Sequence, residues 1–110
     1  MIKKGLLAPV LNKEIVRKIK QRRRQIMVHS CIYYEMDTTI VSDKQFDSWA
    51  YELKELQKQF PNESKEAELY EEFKDWDATT GYNLNFHKFY FLAERLLSYK
   101  RKELENDQEY

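Results

Sequence analysis

Only two glycines and two prolines interrupt this chain of 110 residues, too few for the turns that a multi-stranded fold requires. Its single cysteine, Cys31, excludes an internal disulfide. Neither that thiol nor the lone histidines, His29 and His87, stand at the spacing of a zinc site, so no metal is expected. No apolar run approaches the ~20 residues that cross a bilayer. Residues 1–11 also lack the apolar core of a secretion signal. A cytoplasmic location without membrane contact follows as the expectation. Net charge is missing too, with 19 Lys and Arg against 19 Asp and Glu, which disfavours a strong general affinity for nucleic acid. The balance hides a division, however. The first 30 residues hold nine of the basic side chains and one acidic one, leaving an acidic body behind a basic arm.

What the chain does contain is charge (35%) and aromatic area (15%). The first suits long solvated helices; the second lets a short chain build a core from few side chains. An all-α fold is expected, about four helices in a small bundle-like domain. Residues 1–11 read as a lead-in, 12–99 as the helical domain and 100–110 as a polar tail that frays. Asn12 suits the N-cap of a first helix from Lys13 to Tyr34 or Glu35, with Ile15, Ile19, Ile26, Ser30 and Tyr33 on one stripe. Arg22–Arg24 interrupt that stripe, so its first half is expected to be less buried than its second. The β-branched run 38–41 reads as an extended link. Ser42, with Gln45 three residues on and Asp43 in the first turn, marks the start of a second helix. Phe46, Trp49, Ala50, Leu53, Leu56 and Phe60 face inward along it, and Pro61 stops it.

A third, shorter helix is expected from a cap at Asn62 or Ser64 to about Lys74, with Ala67, Tyr70 and Phe73 inward. Residues 75–84 read as an irregular connection in which Gly81 takes a positive φ. Asn85 then caps a last helix with Phe86, Phe89, Tyr90, Ala93, Leu96 and Leu97 buried. Asp75-Trp76-Asp77 reads as turn acceptors around a core tryptophan, and Cys31 as a small buried side chain. Arg17, Lys18, Lys20, Arg22, Arg23 and Arg24 form the strongest local charge signal. They are candidates for tracking phosphates, or a solvated face balanced by acidic residues such as Glu66, Glu68, Glu71 and Glu72.

The segments Ile32-Tyr33-Tyr34-Glu35-Met36-Asp37 and Val41-Ser42-Asp43-Lys44-Gln45-Phe46-Asp47, followed by Glu52-Leu53-Lys54-Glu55-Leu56 and Phe60-Pro61, form one constellation. Together they resemble the N-terminal helical subdomain of bacterial NAD-dependent DNA ligases, over roughly residues 22–61. That pattern has a Tyr-His pair closing one helix and Asp-x-x-Tyr-Asp opening the next. The resemblance implies a helical hairpin over about 13–61 that holds the nicotinamide mononucleotide half of NAD. Tyr33, Tyr34, Asp43, Phe46 and Asp47 are its candidate contacts, Tyr34 standing at the histidine and Phe46 at the second tyrosine. Asp43 and Asp47 lie four apart near a helix start, where they also suit the helix dipole or a basic partner.

No Lys-x-Asp-Gly occurs in these residues, so the nucleophile that takes up adenylate in the family is absent and no catalytic residue is assigned. The leading expectation is a non-catalytic accessory or protein-interaction protein, of phage or prophage type, with an unidentified protein partner. Weak binding of nicotinamide mononucleotide or NAD is the alternative, and nucleic-acid binding by the basic first helix a third. The patterns suit a monomer and a homo-oligomer equally.

Overall fold

A computed structural model describes residues 10–78, 81 and 83–108; the lead-in expected over 1–11 falls almost wholly outside them. Among the described residues the secondary structure is entirely helical: α1 (Lys13–Glu35), α2 (Asp43–Gln59), α3 (Pro61–Glu66), α4 (Tyr70–Phe73), a 3₁₀ turn (Phe86–Phe89) and α5 (Tyr90–Gln108). Among the described residues no helix is long and apolar enough to cross a membrane.

The start and stop signals act through identifiable atoms. Asn12 Oδ1 accepts from the N–H groups of Glu14 and Ile15, at 3.0 and 3.3 Å. The Asn12 N–H donates to Glu63 Oε2 of α3 at 2.9 Å, so the start of α1 is tied to another element. At its other end the chain turns through Asp37, whose φ of 53° is one that aspartate tolerates. Ser42 Oγ accepts the Gln45 N–H at 3.0 Å and opens α2. These caps orient two antiparallel helices across a seven-residue link.

α1 is the central element and packs against α2, α3, the 3₁₀ turn and α5. Ile19, Ile26, Met27, Cys31 and Ile32 are buried along it and meet Leu53 of α2, Phe73 of α4, and Phe89 and Ala93 at the α5 end. Of the inward stripe expected on α2, only Ala50 and Leu53 are fully buried. Phe46, Trp49 and Leu56 are partly buried against the core. On the 3₁₀ turn and α5, Phe89, Ala93 and Leu97 are buried, with Phe86, Tyr90 and Leu96 half-buried.

Arg23 corrects the reading of Arg22–Arg24 as an interruption of the α1 stripe. Its side chain is fully buried, and its guanidinium donates to Gln57 Oε1 (2.9 Å), Ala67 O (2.9 Å), Glu68 O (3.0 Å), Ser64 O (3.1 Å) and Ser64 Oγ (2.7 Å). All five N–H donors of the planar fork are thereby engaged. The same contacts account for a second difference. The single third helix expected to reach Lys74 is divided, because Ala67 is extended and Leu69 is left-handed with φ 71°. The Ala67 and Glu68 carbonyls, released from helical pairing there, are those Arg23 binds. Pro61 begins α3 at a position where its missing N–H costs nothing, so neither Asn62 nor Ser64 is the cap.

Two further expectations change. Gly81 has no positive φ; Ala78 does, at 69°. The last helix does not stop near residue 100 but continues to Gln108.

Candidate functional site

The last turns of α1, the link behind it and the first turn of α2 enclose one cavity of about 140 Å³. Helical geometry sets its wall on the α1 side. Tyr33 follows His29 by four residues and Ser30 by three, and Tyr34 follows Ser30 by four, so the four share a flank of the helix end. Asp43 and Phe46, three apart on the first turn of α2, face them, and Gly81 reaches in from the far connection. The hairpin link thus brings Tyr33, Tyr34, Asp43 and Phe46 together. Asp47, one turn further along α2, is exposed and does not line the cavity. Among the described residues it makes no ion pair, with α1 or otherwise.

Each side chain is held differently. Tyr33 is 57% exposed and packs edge-on to Tyr34, ring centroids 4.9 Å apart at 85°. The Tyr34 ring also stacks on Phe86 at 5.6 Å and 15°. His29 lies 5.2 Å from the Trp49 ring. Burial pulls its imidazole below the usual histidine value, which favours the neutral form. Asp43 is exposed in the first turn of α2 and is the only carboxylate among the described lining residues. Ser30 is 1% exposed, and its hydroxyl has no hydrogen-bond partner. The result is a small aromatic recess with a buried unpartnered hydroxyl on its wall and a carboxylate at its mouth. It suits a flat, electron-poor ring carrying positive charge.

Sequence reasoning overlooked His29, Ser30 and Gly81. A histidine one turn before Tyr33 was a visible signal, and so was a serine in an otherwise apolar stripe. Nothing local marked Gly81. Among the described residues no group of histidine, cysteine or acidic side chains is placed to hold a metal.

Five of the six basic candidates are tied to carboxylates and the sixth is buried, although Arg17 and Lys20 keep half or more of their side chains exposed. Arg23 is interior and so cannot reach a phosphate. Lys18 and Arg22 converge on Glu52 of α2, at 3.6 and 3.4 Å. Lys20 and Arg24 converge on Glu68, at 3.7 and 2.6 Å. Arg17 pairs with Glu14 at 2.9 Å on its own helix.

Two helices joined head to tail, with an aromatic, acid-edged recess at their junction, define a helical hairpin with a candidate binding site. The comparisons place that hairpin. The model of the DNA ligase-like, N-terminal NAD+-binding domain matches residues 12–67, half of the chain, and the protein belongs to that family. A DNA ligase of Cytophaga hutchinsonii is 40% identical over 48 residues, covering 44% of this chain and 7% of the ligase. The chain therefore spans only a small part of that relative. No solved structure matches.

Proposed function

We propose that the chain recognises the nicotinamide nucleotide portion of NAD in the recess between α1 and α2 and performs no adenylate transfer with its own residues. One observation carries this reading. Four of the five positions singled out by family resemblance, Tyr33, Tyr34, Asp43 and Phe46, line a single cavity. Its volume of about 140 Å³ suits one six-membered aromatic ring, since an apolar cavity of about 150 Å³ holds benzene. The ring end of the nucleotide enters, while ribose and phosphate remain at the mouth. Oxidised nicotinamide is cationic, so it gains from the tyrosine faces and from Asp43. The neutral imidazole of His29 does not oppose it. With no Lys-x-Asp-Gly among these residues, an accessory role follows, the chemistry belonging to another polypeptide or another part of a longer one.

Calorimetric titration with nicotinamide mononucleotide tests this. Saturable binding is expected, weakened about tenfold by Asp43→Asn, the equivalent of losing one charge-assisted contact. Reduced nicotinamide mononucleotide, whose ring is neutral, is expected to bind less tightly. Absence of heat and of amide shifts at Tyr33 and Asp43 with millimolar ligand would refute the reading.

A further inference from the structure

The family match ends at residue 67, yet two later residues touch the recess or a side chain that lines it, and a third holds the end of α1 beside it. Gly81 lines it directly. Phe86 stacks on Tyr34. His87 Nδ1 lies 2.9 Å from both carboxylate oxygens of Glu35, the last residue of α1. On this basis, and resting on the reading of the recess as a nicotinamide site, we propose that the segment beyond the matched domain forms the closing wall of the pocket, with Gly81 as the position that sets the ring it admits.

The geometry at Gly81 is restrictive. A Cβ built there would collide with the Ser30 hydroxyl and lie 2.8 Å from Ser30 Cβ and 3.8 Å from Phe46 Cζ. Glycine is present because the backbone approaches α1 closely, not because of an unusual φ. Any side chain must lift this backbone away from Ser30, which removes one wall of the recess. The Ser30 hydroxyl beneath is buried without a partner, an arrangement that costs free energy unless something answers it. A ring carboxamide whose entry displaces the Gly81 backbone slightly would supply both a donor and an acceptor at that point. Phe86 fixes the Tyr34 ring from behind, so the stacking face is presented by two segments of the same chain. The hairpin alone would leave this side open, and the later residues restrict it to a flat ring.

The test is titration of the full 110-residue chain with nicotinamide mononucleotide, comparing the unaltered protein, Gly81→Ala, Ser30→Gly and the double variant, with helix content followed by circular dichroism. Gly81→Ala is expected to weaken binding about tenfold, and Ser30→Gly alone about threefold or less. The double variant, in which the new methyl has room, is expected to recover most of the affinity lost by Gly81→Ala. Binding by folded Gly81→Ala equal to that of the unaltered chain overturns the proposal, as does a folded double variant no better than Gly81→Ala. Should Gly81→Ala fail to fold, Phe86→Ala decides: a fivefold or greater loss supports the wall, and unchanged affinity overturns it. If the unaltered chain does not bind at all, the reading of the site itself fails and this inference falls with it. That outcome is distinct from binding that ignores Gly81.

Discussion

Replacing Arg23 by methionine should destabilise the protein although nothing at the surface changes. The guanidinium sits at 0% exposure and donates five hydrogen bonds, none of them to a carboxylate. Burial lowers its pKa from the usual guanidinium value to about 10, so the cation persists through neutral pH. Methionine matches the volume and removes the cost of desolvating a charge, a gain of several kcal/mol in favourable cases. It also leaves the carbonyls of Ser64 and Ala67, both at buried contacts, without donors, at about 1–3 kcal/mol each. The side-chain oxygens of Gln57 and Ser64 lose the donor they have in Arg23 as well. The carbonyls belong to a chain turn with Ala67 extended and Leu69 left-handed, so they cannot return to helical pairing without rebuilding it. The net loss should be about 2–4 kcal/mol for Arg23→Met, and about 3–5 kcal/mol for Arg23→Ala, which adds a cavity. Against a total of about 5–15 kcal/mol this is large. Urea unfolding followed by circular dichroism reads it as a lowered midpoint. Arg17→Ala is the control, because that side chain is 69% exposed and pairs only with Glu14; it should change stability by less than about 0.5 kcal/mol. A midpoint for Arg23→Met matching that of the control would refute the reasoning.

Four other outcomes follow from the same structure. Ser42→Ala removes the acceptor of the Gln45 N–H and should cost about 0.5–2 kcal/mol in the same unfolding assay. Cys31 is buried and its thiol is pushed up to about 11 by burial and by Glu35. Alkylation near neutral pH should therefore be slow in the folded protein and rapid in urea. His29 is held below its usual 6.5, so the unfolded chain takes up this proton first as pH falls. Stability from this group is full above 6.5 and lost as pH falls through the folded value, and His29→Gln should flatten that slope. Because Glu52 and Glu68 each hold two cations of α1, duplex DNA should bind weakly, and the Glu52→Gln, Glu68→Gln double variant more tightly, with a steeper salt dependence by filter binding. Equal affinity of the two proteins would show that the basic face is not an interface.

The hairpin was legible because its signals are local. Asn12, Ser42 and the Phe46-to-Leu56 spacing each act within a few residues, and Tyr33, Tyr34, Asp43 and Phe46 of the resemblance share one cavity. The failures share the opposite character. Arg23 looked like surface charge because no property of the sequence around it reveals five acceptors from Gln57 and residues 64–68. The split between α3 and α4 was illegible for the same reason, since what stabilises the extended Ala67 is a side chain 44 positions earlier. Gly81 was read as a conformational glycine, which is the local inference, whereas its reason is a steric contact with Ser30, 51 residues away. Asp47 fits the family pattern yet lies outside the cavity, because a four-residue step along α2 moves the side chain up the axis by about 6 Å.

These misreadings divide α1 into two halves with different duties. Up to Val28 its side chains serve cohesion: Ile19 and Ile26 fill the core, Arg23 secures the α3–α4 turn, and the flanking cations reach Glu52 and Glu68. From His29 onward the same helix keeps Cys31 and Ile32 in the core but turns to its other flank a neutral imidazole, an unpartnered hydroxyl and two tyrosines, of which Tyr33 is mostly exposed. A mostly exposed Tyr33 and an unpaired Ser30 hydroxyl do not favour the fold, and both suit the proposed binding surface better than a core. The two kinds of substitution should therefore separate along one helix. Changes at Ile19, Arg23 or Ile26 lower the unfolding midpoint and reduce binding only through the folded fraction. Changes at His29, Tyr33 or Tyr34 alter affinity with a midpoint nearly unmoved. The joint is Ser30, which belongs to the core by exposure and to the recess by position. A Ser30→Ala variant should remove a buried unpaired hydroxyl and so raise stability slightly, by about 0.5–1 kcal/mol, while weakening nicotinamide mononucleotide binding. Loss of stability without loss of affinity would place Ser30 wholly in the core and move the boundary between the two halves to Tyr33.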